Sequence, residues 1–146
     1  MNTMNTLIRY LFILLVFAGV SGCGDGFVPL RGKVTFSDDG SPVTTGFVYF
    51  DSGSKLARGK INADGTYIVG SLSDTDGLAP GNYKVYVQAT GPDPSVAITA
   101  SGLRPQVSLV DPKFSSVETS GLECHVDRSK KSYDIVVDRS KYWERK

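Results

Sequence analysis

Cysteine, histidine and tryptophan are scarce in this 146-residue chain, with two, one and one copies. Cys23 and Cys124 are the only thiols, so there is no disulfide framework and stability must come from a buried core. One histidine, His125, cannot supply the multi-histidine ligand sets of catalytic zinc sites. The apolar run Leu7 to Val20 is interrupted by Arg9 and Tyr10 and is shorter than the roughly 20 residues a membrane-spanning helix needs. Charge of one sign is not in excess: 16 Lys and Arg face 15 Asp and Glu, which argues against nucleic acid as a partner of the whole domain. Sustained helical periodicity, internal repeats, a Ser-centred nucleophile elbow and a phosphate-cradling glycine loop are absent as well.

The N-terminus is informative. Arg9 precedes the apolar run Leu11 to Val20, and small residues lead into a cysteine: Val20-Ser21-Gly22-Cys23. This order resembles the lipobox of bacterial lipoproteins. The resemblance implies that residues 1–22 are a lipoprotein signal peptide, that the chain is exported and cleaved before Cys23, and that Cys23 carries acyl chains. The expected location is the cell envelope, lipid-anchored to a membrane on its periplasmic or outer surface. Each buried methylene contributes about 0.8 kcal/mol, so two or three chains hold durably where one does not. Residues 23–27 are expected to be the lipidated cysteine and a flexible tether, rich in glycine.

The rest is long enough for one domain with a real core, expected over residues 28–138. Val28, Leu30, Val34 and Phe36 fall on one face of a strand, with Arg31, Lys33 and Thr35 on the other. Gly46 to Asp51 is almost wholly β-branched or aromatic, as in a strand buried on both faces. Leu56 to Ile61 and Thr66 to Val69 read as strands around a hairpin-type turn, Asn62-Ala63-Asp64-Gly65. Pro80-Gly81 suits the centre of a type II turn before the clearest strand, Tyr83 to Ala89. Thr90 to Pro112, with four prolines, carries no clear assignment; strands resume at Leu122 to Val126 and Ser132 to Val137. The expectation is all-β: a single antiparallel sandwich of about seven strands.

Several phrases carry a family resemblance. Arg31-Gly32-Lys33-Val34-Thr35-Phe36, Gly40-Ser41-Pro42-Val43, Asp64-Gly65-Thr66-Tyr67 and Pro80-Gly81-Asn82-Tyr83-Lys84-Val85 resemble, in order and spacing, carboxypeptidase-regulatory-like domains, which are transthyretin-like (prealbumin-like) sandwiches. The resemblance implies a Greek-key sandwich and a non-catalytic module. The hydroxyisourate hydrolases of the same superfamily use several histidines and a Tyr-Arg-Gly-Ser ending; this chain has one histidine and ends Tyr142-Trp143-Glu144-Arg145-Lys146.

The chemically suggestive residues have ordinary structural roles open to them as well. Cys124 shares the apolar face of its strand with Leu122 and Val126, so it is expected to be a buried, inert thiol. Glu123, His125 and Asp127 share the opposite face, spaced too widely to converge on one ion. Asp74-Thr75-Asp76-Gly77 resembles part of a calcium loop but lacks the closing glutamate. Tyr86 and Trp143 are the aromatics best suited to stacking on a sugar, with Tyr49 a further candidate. Residues 139–146 form a basic, aromatic tail suited either to packing on the sandwich edge or to docking on lipid or polymer.

The sequence therefore points to a membrane-anchored envelope lipoprotein, not an enzyme and with no cofactor, acting as a structural or protein-interaction module. Its partners would be the membrane, through Cys23, and an envelope protein or polysaccharide. The alternative is a carbohydrate- or calcium-binding module at the cell surface, using Tyr86, Trp143, Asp74 and Asp76.

Overall fold

Alternating apolar and polar side chains become strands wherever one face can be buried. The computed structural model describes residues 26–93 and 95–142. The signal segment, Cys23 and Trp143 lie outside the described residues. Strands β1 (Arg31–Phe36), β2 (Phe47–Asp51), β3 (Leu56–Lys60), β4 (Thr66–Ile68) and β5 (Gly81–Gln88) come first; β6 (Thr90–Pro92), β7 (Gln106–Ser108), β8 (Leu122–Val126) and β9 (Ile135–Val137) follow. A 3-10 turn, Pro112–Ser115, precedes β8.

The protein is an all-β sandwich. One sheet has the order β4-β1-β9, the other β3-β2-β5-β8, and β6-β7 forms a separate hairpin. The core lies between the two main sheets: Val34 and Phe36 from one, Val48, Phe50, Val85 and Val87 from the other. Tyr83, Val85, Val87 and Ala89 are all buried, as their alternation requires.

The two ends of the sandwich differ. At the near end the chain enters through Val28, which pairs with Leu78, and β5 begins at Gly81 opposite the last residue of β8, Val126. At the far end lie the turns at 37–42 and 62–65 and the β6-β7 hairpin.

The structure departs from the sequence reading in several places. The sheets are not wholly antiparallel: β9 runs parallel to β1, Val34 to Phe36 beside Ile135 to Val137. The connection after β8 crosses the near end of the sandwich, so β9 starts from the same end as β1. Only one face of β2 is fully buried, through Val48 and Phe50; Phe47, Tyr49 and Asp51 are half-buried on the outer face. The Asn62–Gly65 turn is tight, with Gly65 at φ 84° and the Asn62 N–H donating to Thr66 O at 2.8 Å. Its strands nevertheless divide between sheets, β4 pairing with β1. Gly81 has φ 158°, extended rather than the roughly +80° of a type II turn. Residue 140 packs on the sandwich, in line with one of the two roles open to the tail: Ser140 is 1% exposed and donates its N–H to Leu109 O.

Candidate functional site

The outer face of the β3-β2-β5-β8 sheet carries a run of aromatic contacts and a groove. Pairing places Tyr49 of β2 directly between Arg58 of β3 and Tyr86 of β5. The Tyr49 and Tyr86 rings stack with centroids 4.7 Å apart and planes 8° from parallel. Phe47 lies 6.2 Å from Tyr49, and the Arg58 guanidinium lies over Phe47 at 5.3 Å. Burial beside Tyr49, Asp51 and Glu118 raises the Tyr86 hydroxyl pKa above its ordinary value, so it is a neutral phenol at physiological pH.

Toward the near end, the same face opens into a groove of about 820 Å³. Asp51, Lys84 and Glu123 form one row across three strands, with Lys84 opposite both acids. Asn82 and His125 form the next row, joined by a 2.6 Å hydrogen bond between Asn82 Oδ1 and His125 Nδ1. The 52–53 turn and Val117 complete the walls. This is a polar, shallow surface with both charges present, able to accept hydrogen-bonding partners.

Each residue singled out by sequence has a definite place. Cys124 is 3% exposed and points into the core; burial raises its thiol pKa, so it is a poor nucleophile. His125 and Glu123 lie on the exposed face. Tyr86 is on the outer face, but one face of its ring is covered by Tyr49. Two rings stacked this way present edges and hydroxyls rather than a coplanar platform for a sugar.

Asp76 is a loop staple. Its carboxylate accepts the backbone N–H groups of Ser71, Leu72 and Ser73 at 2.6, 2.8 and 3.1 Å. The Ser71 bond is the largest cause holding its pKa below the usual value. Those oxygens are engaged by the loop itself, while Asp74 is exposed. The structure thus does not bring Asp74 and Asp76 together with Tyr86, which belongs to a different surface.

Sequence reasoning passed over Asp51, Asn82 and Lys84. Their grouping depends on pairing between strands far apart in the chain, and no local pattern reports it. Arg139, the first residue of the tail, packs against Phe36 beside a second concavity at the far end, of about 450 Å³.

Three solved structures align with most of the chain. A DUF3823 family protein from Bacteroides ovatus shares 19% identity over 77% of this chain and 45% of that one, with a TM-score of 0.45. A variant of BcpA, the major pilin subunit of Bacillus cereus, shares 10% over 79% and 30%, with a TM-score of 0.48. A 9R-lipoxygenase from Cyanothece shares 11% over 77% and 16%, with a TM-score of 0.36. The chain spans less than half the length of each. No family model matches it, and no curated protein does.

Proposed function

We propose that this protein is a lipid-anchored envelope module that acts without catalysis, holding a β-sandwich at a membrane surface for contact with another envelope component. The observation that carries the reading is the charge, apolar run and small residues that end at Cys23, three positions before the first described residue. The non-catalytic part is supported by the employment of the chemically active side chains. Cys124 is core, Asp76 staples a loop, and His125 is tied to Asn82.

The test is fractionation of cells making the full chain or its Cys23→Ser variant. Wild-type protein in the membrane fraction and the variant released from it is the expected result. A variant that stays fully membrane-bound would overturn the anchor.

A second reading, carbohydrate binding, rests on the polar groove of Asp51, Asn82, Lys84 and His125, next along the same face from Tyr49 and Tyr86. Thermal-shift titration against a glycan panel tests it. A saturating ligand at 100 times its dissociation constant adds about 2.7 kcal/mol. A saturable rise in midpoint that is lost in Tyr86→Ala would favour the glycan reading over a protein contact.

A further inference from the structure

We propose that the near end of the sandwich lies directly against the bilayer, its basic turn on anionic lipid headgroups and Leu72 in the interfacial layer. This deepens the anchor reading and rests on it.

Reach is the first argument. Three peptide steps separate Cys23 from Gly26, so their Cα atoms are at most about 11 Å apart. Val28 pairs antiparallel with Leu78, which places the entering chain alongside Ala79 and Pro80, next to the start of β5 at Gly81. Gly81 pairs with Val126, so the turn that follows β8 adjoins the point of entry. A lipid at Cys23 holds this end, and no other, within headgroup distance.

Charge is the second argument. The turn carries Arg128, Lys130 and Lys131, with Arg31 beside it through the Arg31 N–H to Lys131 O bond. Arg128, Lys131 and Arg31 are exposed, and Lys55 is exposed on the neighbouring turn of the same end. The acids of this end are Asp51, Asp74, Asp76, Asp127 and Asp134, and all but Asp74 accept backbone N–H groups: Asp51 from Gly53, Asp76 from Ser71 to Ser73, Asp127 from Ser129 and Lys130, and Asp134 from Lys33. At the far end the acids Asp38, Asp39, Asp64, Asp111 and Asp138 stand with Lys60, Lys113 and Arg139, of which Lys113 and Arg139 are paired to acids, so no comparable basic cluster forms there. The clustered bases Arg31, Arg128, Lys130 and Lys131 thus lie at the end the tether brings to the membrane, and anionic lipid attracts such a cluster.

Leu72 is the third. It is 86% exposed, the most exposed large apolar side chain among the described residues. The Asp76 staple fixes its backbone, and Gly77 packs against Val28, so its loop adjoins the entering chain. An apolar side chain held out beside basic residues suits an interface where headgroups meet acyl chains.

The test uses full-length lipoprotein purified from membranes and reconstituted into vesicles of phosphatidylcholine with or without phosphatidylglycerol. In a Cys124→Ala background, Leu72→Cys carries an environment-sensitive fluorophore, and Ala63→Cys on the far-end turn carries it in a control. The expected result is blue-shifted emission from position 72 on phosphatidylglycerol vesicles, quenched by lipid-borne quenchers, with position 63 water-like. Neutralising Arg128, Lys130 and Lys131 to Gln should abolish the shift while the protein still sediments with vesicles. A water-like probe at position 72 on anchored protein would overturn the proposal and leave the anchor standing. A shift seen in native membranes but not in lipid vesicles would also overturn it, in favour of a protein occupant. Wild-type protein that remains soluble would overturn the anchor and this proposal together.

Discussion

The guanidinium carbon of Arg139 sits 3.8 Å from the centre of the Phe36 ring, while its nitrogens reach Asp38 at 2.8 Å and Asp39 at 3.0 Å. One side chain beyond β9 thereby caps the end of β1 and the turn that follows. Its apolar stem and planar head cover an aromatic ring that would otherwise face water.

Replacing Arg139 with Ala removes the cover and the cation–π contact together. The expected cost is about 1–2 kcal/mol, a fall of a few degrees in midpoint. Arg139→Lys should restore only part of it, because an ammonium cannot lie flat on Phe36 and bridge two carboxylates. Urea unfolding of the three proteins checks this; equal stability of Arg139→Ala and wild type would show that the contact contributes nothing.

Gly32 is a second fixed point. A Cβ there would fall inside contact distance of the Tyr133 carbonyl oxygen and 2.8 Å from the Tyr67 hydroxyl. That hydroxyl donates to the same Tyr133 carbonyl, joining β4 to the segment that leads into β9. Gly32→Ala must push them apart, and overpacking of this kind costs about 1–3 kcal/mol or more. Tyr67→Phe keeps the packing and loses one hydrogen bond to a half-buried carbonyl, about 1–2 kcal/mol. Denaturation midpoints should therefore rank wild type above Tyr67→Phe and Tyr67→Phe above Gly32→Ala.

Stability should fall at both extremes of pH, for opposite reasons. Burial raises the pKa values of Cys124, Tyr67, Tyr83 and Tyr133. Above the ordinary values of 9.0 for Cys and 10.0 for Tyr, the unfolded chain loses these protons first, so stability declines as pH rises through that range. Asp39, Asp76 and Asp127 are lowered, chiefly by hydrogen bonds from Ser41, Ser71 and Ser129. Their contribution is present above the ordinary value of 3.8 and disappears as pH falls through the folded values below it. Thermal midpoints across pH 3 to 11 should form a plateau with two shoulders, and the Cys124→Ala and Tyr67→Phe variants should soften the alkaline one.

The sequence was most legible where burial is one-sided. Tyr83, Val85, Val87 and Ala89 alternate with Lys84, Tyr86 and Gln88, and that pattern alone locates β5. Cys124 and His125 were separable for the same reason, since neighbours on a strand point to opposite faces. What stayed hidden was long-range. The parallel β1-β9 pair depends on which end the 127–134 connection crosses, and no local residue encodes that. Asp51, Lys84 and Glu123 become neighbours only through register across three strands. Arg139 read as tail because its partners, Phe36, Asp38 and Asp39, lie at the other end of the domain's sequence.

Cys124 offers a kinetic measure of opening. Its sulfur is in the core and its thiolate is disfavoured, so a maleimide should label native protein only as fast as the near-end strands open. Labelling should accelerate in urea in step with unfolding. Rapid stoichiometric labelling of the folded protein would mean that β8 frays from β5, and the groove with it.

The Tyr49 and Tyr86 stack separates packing from recognition. If the pair serves the sheet, each ring is the other's partner, and a double-mutant cycle to Ala should return a coupling of about 0.5–1.5 kcal/mol. The two single costs should then sum to more than the cost of the double, because the second ring has lost its neighbour already. If the rings serve a ligand, the coupling in free protein is small and both substitutions instead weaken binding. The 4.7 Å spacing and 8° tilt favour the first outcome, since rings this close leave no gap for a sugar between them. A coupling near zero, together with a ligand-induced rise in midpoint abolished by Tyr49→Ala, would reverse that assignment and make the groove beside Lys84 the binding site.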